Sequence, residues 1–206
     1  MISAQEALAR LREGNRRFVA GAASREPALD EERRLALARS QQPFAVILGC
    51  SDSRVPTELV FGQGFGDLFV IRVAGNIVAP TQVGSVEFAA TRFGTRLVVV
   101  LGHTGCGAVT ATVEGLKRPA PSQSPGLREI VERLRPVVEP LLATPLGRQT
   151  DGLIAEAVRA NIRAAVNELR RGSDVLRPLA ERGELAVVGA EYDLRTGVVD
   201  FFCGDL

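Results

Sequence analysis

Three short apolar runs, each breaking off at glycine or a change to polar residues, constrain this chain more than any other feature. Phe44–Leu48, Leu68–Val73 and Leu97–Leu101 are too short for buried helices and read as fully buried strands. Pro43 blocks any helix from continuing into the first of them. Between the second and third, Val83–Phe93 repeats at helical spacing. Strand, helix and strand in alternation is what a parallel sheet requires, because parallel neighbours need a long crossover. Leu185–Tyr192 and Val198–Phe202, joined through Arg195-Thr196-Gly197, read as a terminal strand pair. The chain has 206 residues, 46% of them apolar, enough for one sizeable core. The expected fold class is α/β, a single domain over residues 1–206. Its central sheet is mostly parallel, about four parallel strands plus an antiparallel C-terminal strand, and is flanked by helices.

The helices have their own signals. Ser3 with Glu6 forms a capping box, and Ala7, Leu8, Leu11, Phe18 and Val19 recur at helical spacing until Gly21. A second helix is expected from Asp30 to near Ser40. Helical patterns return at Leu127–Leu142, with a break expected at Pro136, then at Asp151–Arg170 and Ser173–Glu181. Residues 117–126, rich in Pro and Ser, read as a loop. The N-terminal amphipathic helices find few partners in so small a sheet domain, which predicts dimerisation.

Charge excludes some functions. Twenty-five basic residues face twenty-four acidic ones, so nothing marks a nucleic-acid or anionic-membrane surface. No run reads as a leader or is long enough to span a bilayer. Three cysteines, at 50, 106 and 203, are too few for a disulfide framework, so reduced thiols and a cytoplasmic location are expected. The single histidine, His103, stands three residues before a cysteine.

The first apolar run leads into Gly49-Cys50-Ser51-Asp52-Ser53-Arg54, and the third into Gly102-His103-Thr104-Gly105-Cys106-Gly107. Both segments fall at the carboxyl ends of parallel strands, the edge where open α/β sheets bind ligands. Two thiolates and an imidazole suit zinc and leave a fourth position open, the form of a catalytic site. On spacing alone, other readings stay open. Cysteines at strand ends are commonly small buried apolar residues, the reading given to Cys203, and a solitary histidine is commonly structural. A closed structural zinc site with Asp52 as fourth ligand is a further reading. A nucleotide-binding module fits poorly, because Gly102-x-x-Gly105-x-Gly107 has the wrong glycine order. A cysteine phosphatase fits poorly too, because Arg54 follows Cys50 too closely to cradle a phosphate.

Cys-x-Asp-x-Arg followed some fifty positions later by His-x-x-Cys resembles the signature of the β-class carbonic anhydrases. CSDSRVP, FVIRVAGNIV, GSVEFAA and LGHTGCGAV resemble blocks of the same family. The likeness is close from Gln41 to Val113 and looser in the N-terminal helices and in GAEYDLRTG. The resemblance implies zinc on Cys50, His103 and Cys106, and hydration of carbon dioxide to bicarbonate by zinc-bound hydroxide. It implies that Asp52 either takes the open coordination position or pairs with Arg54. It also implies a substrate pocket of Gln41, Phe69, Ala74 and Phe88, with Phe88 supplied by a partner subunit of a homodimer or dimer-based oligomer. The same fold and zinc site can also hydrolyse carbon disulfide. With two thiolate ligands the activity is expected to favour alkaline pH. No histidine is left as a proton shuttle. One branch of the family holds a regulatory bicarbonate through a Trp, an Arg and a Tyr. Arg72 and Tyr192 match two of these, but Ile47 stands in place of the Trp, so this lock is expected to be missing. Arg72 and Tyr192 then read as a structural hydrogen-bonded pair.

Overall fold

A computed structural model of the chain describes residues 2–22, 31–118 and 124–204. Five strands, β1 (Ala45–Gly49), β2 (Leu68–Arg72), β3 (Leu97–His103), β4 (Ala186–Tyr192) and β5 (Val199–Cys203), form one sheet in the order β2-β1-β3-β4-β5. The first four are mutually parallel and β5 runs antiparallel to β4. Every residue of β1 and β3 is buried, as expected of central parallel strands covered on both faces. β3 continues beyond its apolar run because Gly102 and His103 still pair with Glu191 and Tyr192 of β4. This extra length carries the histidine to the sheet edge.

Around the sheet lie α1 (Ala4–Val19), α2 (Glu31–Arg39), α3 (Thr57–Val60), α4 (Pro80–Arg92), α5 (Gly107–Lys117), α6 (Pro125–Leu142), α7 (Thr150–Arg171) and α8 (Leu176–Glu181). Strand alternation sorts the core into two layers. Val46, Leu48, Val98 and Val100 pack with residues of α4 to α8, while Ile47, Val99 and Leu101 pack with α1. The turn into β5 follows from Asp193, whose Oδ1 accepts from the backbone N–H groups of Arg195 and Thr196, both at 2.8 Å, with Gly197 in the left-handed region (φ +77°).

α1 begins at the predicted capping box, with Ser3 Oγ accepting from Glu6 N at 3.2 Å. Ala7, Leu8 and Leu11 of its apolar face are buried within the chain, while Val19 stays 44% exposed. Gly14 lies so close to the chain at Phe61 that a Cβ there would stand 1.7 Å from the Phe61 carbonyl oxygen. Asn15 Nδ2 donates to the Val60 and Gly197 carbonyls at 3.1 and 2.8 Å, and its Oδ1 accepts from Val199 N at 2.9 Å. The helix with apolar side chains to spare is α2, which buries no residue and leaves Leu35 54% exposed. Its expected start at Asp30 lies outside the described residues.

The break expected at Pro136 is corrected by α6, which runs unbroken through Pro136 and Pro140. Both prolines lie on the exposed side, where water can satisfy the carbonyls they leave unbonded, and Val131, Leu134 and Val138 hold the opposite side in the core. Ser124 caps α6 through Leu127 N at 3.4 Å. Residues 119–123 of the expected loop lie outside the described residues. The expected helix from Ser173 begins only at Leu176, because the Ser173 hydroxyl accepts from Leu176 N at 3.0 Å and so stands ahead of the first turn.

Candidate metal centre

β1 and β3 are neighbours, so their carboxyl ends bring two segments fifty residues apart to one place. Cys50 follows the last residue of β1, His103 ends β3, and Cys106 precedes the first turn of α5. Their ligand atoms all lie within 4.8 Å of one another. Cys50 is 5% exposed, Cys106 1% and His103 0%.

The histidine is set as a ligand. Its Nδ1 lies 3.0 Å from the Thr104 carbonyl oxygen, an acceptor, so Nδ1 carries the proton. Nε2 is left with a bare lone pair, buried and without a hydrogen-bond partner. Asp52 Oδ2, at 3.8 Å, is too far to bond it. A buried polar atom in that condition requires a cause.

The thiols point the same way. A hydrogen bond from Cys106 holds Cys50 down to about 4 against the effect of burial, with His103 and the backbone N–H groups of Asp52 and Gly75 adding to it. The same bond, together with burial, pushes the Cys106 thiol far up. Burial opposes charge on His103 too, but the neighbouring Cys50 sulfur, the Thr104 carbonyl and the Asp52 carboxylate outweigh it and raise its pKa. Without a cation, therefore, the two neighbouring sulfurs oppose ionising together. A divalent ion would let both sulfurs ionise and would take the free lone pair on Nε2, so the donor set fits a borderline-soft metal.

Asp52 turns toward Arg54. Arg54 Nε donates to Oδ1 at 2.9 Å and Nη2 to Oδ2 at 2.7 Å, and the Arg54 backbone N–H reaches Oδ1 at 2.9 Å. Nη2 also lies 3.4 Å from the Gly105 carbonyl, which ties the pair to the histidine segment. The Arg54 hydrogen bond holds the Asp52 carboxyl well below the usual carboxylate range. A depressed carboxylate contributes stability above its unfolded pKa and loses it only as pH falls through the folded value, so this pair persists down to strongly acid conditions. Arg54 is thus occupied by Asp52, which removes it as a phosphate cradle over Cys50.

Arg72 has a role that the sequence reading missed. Its Nε donates to the Cys50 carbonyl at 3.0 Å and its Nη2 to the Asp52 carbonyl, clasping the backbone that carries both residues. No hydrogen bond joins Arg72 to Tyr192 among the described residues, which corrects the expected pair. Tyr192 is buried with its ring 6.5 Å from that of Phe18, and its carbonyl accepts from Thr104 N. Gly75 was also missed, and its N–H donates to Cys50 Sγ at 3.4 Å. The available signal was position, since β2 is the next strand to β1 and ends at the same sheet edge.

The expected pocket residues divide. Ala74 adjoins Gly75 and so lies beside the cysteine. Phe69 is in register with Val46, four residues before Cys50 and thus about 13 Å down the sheet. It forms an aromatic cluster with Phe88 and Phe93, with centroids 5.5–6.2 Å apart. Gln41 lines an open cleft of about 670 Å³ with Phe93 and Phe65. Within one chain, Gln41, Phe69 and Phe88 are therefore apart from the cysteines. Cys203, half-buried on β5, lies opposite Gly189 and takes no part in the cluster.

The sequence model of the carbonic anhydrase family matches residues 45–199. Carbonic anhydrase 2 of Mycobacterium tuberculosis is 40% identical over 191 residues, covering 91% of this chain and 87% of that protein. The carbonic anhydrase of Mycolicibacterium smegmatis is 39% identical over 190 residues, covering 92% and 89%. Among solved structures, a tetrameric β-carbonic anhydrase of Sordaria macrospora superposes with a TM-score of 0.72 at 25% identity, over 94% of this chain and 96% of that one. CafA, a β-carbonic anhydrase of Aspergillus fumigatus, gives 0.73 at 28% identity, over 96% and 89%. Fold, site and relatives together define the class, and this chain belongs to the β-class carbonic anhydrases.

Proposed function

We propose that one zinc ion is held by Cys50 Sγ, His103 Nε2 and Cys106 Sγ, and that the chain uses it to hydrate carbon dioxide reversibly to bicarbonate and a proton. The observation that carries this reading is the bare lone pair of His103 Nε2, buried among two thiols with no protein donor to meet it. Zinc, when bound, supplies a water acidified enough to act as a nucleophile near neutral pH. The protein's part is orientation. Arg54 holds the Asp52 carboxylate ionised and turned beside the cluster, where with zinc bound it would accept a hydrogen bond from the nucleophile and so orient it toward carbon dioxide. Arg72 fixes the backbone beneath. Ala74 offers an apolar wall suited to a substrate without a dipole. Metal analysis of the purified protein is expected to find one zinc per chain, and zinc-free protein with full activity would contradict the assignment. Thiolate ligands must stay reduced, which supports a cytoplasmic location.

A dimer or a dimer-based oligomer completes the pocket. Support comes from the Sordaria relative, described as tetrameric, and from exposed large apolar side chains, Leu35, Phe65 and Phe88 at 54%, 57% and 52%. Gln41 and Phe88 of a second copy would then face the metal site. Light scattering is expected to give an even multiple of the chain mass, and a fully active monomer would contradict it.

The bicarbonate lock is expected to be missing. Ile47 is wholly buried and apolar, Arg72 already donates to two carbonyls, and the Tyr192 ring packs toward Phe18. A ligand shifts two states only by its difference in affinity for them, and here the anchors for that difference are engaged elsewhere. Activity will rise smoothly with pH, and bicarbonate will inhibit only as product. A steep cooperative loss below about pH 8, sharpened by bicarbonate, would show a working lock.

A further inference from the structure

The turn that carries Gly75 adopts an unfavourable conformation and is held from behind by one buried side chain. Gly75 (φ +69°) and Asn76 (φ +42°) are consecutive left-handed residues, and Asn76 is the one non-glycine residue of positive φ among those described. Such a conformation persists only where the surroundings impose it. A Cβ on Gly75 would meet Ala108 Cβ at 3.1 Å and Leu134 Cδ1 at 3.3 Å, so α5 and α6 close the turn from two sides. From α7, Asn161, 5% exposed, donates through Nδ2 to the Gly75 carbonyl at 2.8 Å. The helix can come this near because β3 has Gly102 where it crosses, and a Cβ there would stand 2.6 Å from Ile162 Cδ1. On the other side of the same residue, the Gly75 N–H points at Cys50 Sγ, 3.4 Å away.

We propose that Asn161 is a positioning residue of the metal centre: by holding the Gly75 carbonyl it fixes the left-handed turn that aims the Gly75 N–H at the Cys50 sulfur. The inference rests on the reading of Cys50 as a zinc ligand. A hydrogen bond donated to a thiolate draws charge from the sulfur and orients its lone pairs, so the turn sets both the direction and the donor strength of that ligand. Asn161 acts two hydrogen bonds removed from the Cys50 sulfur and would touch neither ion nor substrate. Its backbone neighbours on α7 serve the core, whereas its carboxamide serves this one carbonyl.

Two variants test the proposal. Asn161→Asp keeps the shape but turns the donor into an acceptor facing another acceptor, and Asn161→Ser is too short to reach. Val158→Ala is the control, since it trims the buried face of the same helix without removing a polar contact. Zinc affinity is measured by chelator competition, and the thiolate-to-metal charge-transfer band is recorded on cobalt-substituted protein. Both Asn161 variants are expected to bind zinc about 10- to 100-fold more weakly and to move the band to lower energy, with Val158→Ala changing neither. Asn161 variants that hold zinc as wild type does with the band unmoved would overturn the proposal, as would an equal loss of affinity in Val158→Ala. Wild-type protein that binds neither metal would instead strike the zinc reading itself.

Discussion

Replacing His103 by alanine is expected to empty the site and abolish carbon dioxide hydration. The histidine is wholly buried, its tautomer is fixed by Thr104, and its Nε2 faces only the site. If the roughly 10–16 kcal/mol typical of protein zinc sites is shared among three ligands, each accounts for about 4 kcal/mol. That corresponds to about a thousandfold in affinity. The loss is compounded electrostatically, because without a cation the two neighbouring sulfurs oppose ionising together. Zinc content near zero and turnover at the buffer background are the expected readings, with the fold retained by circular dichroism. Wild-type turnover in His103→Ala would remove the histidine from the ligand set.

Arg54→Ala is expected to give the opposite combination, zinc kept and activity lost. Arg54 makes the two side-chain hydrogen bonds that hold Asp52 turned aside. Once released, a carboxylate beside a cation with an open position will occupy it and exclude water. The backbone of the site should survive, since Arg72 clasps the Cys50 and Asp52 carbonyls independently. Carbon dioxide hydration is expected to fall by about 100-fold, the upper range for partners outside the ligand shell, while zinc stays near one per chain. Arg54→Lys should restore little, because an ammonium cannot reproduce the bidentate fork. Loss of zinc in proportion to activity would make Arg54 merely structural.

The Cys50–His103–Cys106 cluster and the Asp52–Arg54 pair were legible in the sequence because each residue sits close to a strand end, where sheet topology brings the segments together and where the motifs that resemble the family fall. Cys50, Asp52 and Arg54 follow β1 directly, and His103 and Cys106 bracket the end of β3. The sheet itself was equally legible, down to the antiparallel last strand. What escaped depends on packing between distant elements. Pro136 reads as a break by propensity, yet α6 continues because its opposite face is held in the core. Gly14 and Asn15 seat α1 against Phe61, Val60 and Val199, a close approach between distant segments. Arg72 and Asn161 act through backbone carbonyls 20 and 86 residues away, which no local motif encodes. Gln41, Phe69 and Phe88 gather at the β2 edge of the chain, away from the cysteines, a separation along the strand that no short motif encodes.

The most direct test is stopped-flow carbon dioxide hydration by the purified protein, run as isolated, after complete zinc removal with a chelator, and again after zinc is returned. Hydration well above the buffer rate, lost with the metal and recovered with it, is the predicted result. Turnover that is indifferent to zinc removal, or a zinc-loaded protein no faster than buffer, would contradict the assignment.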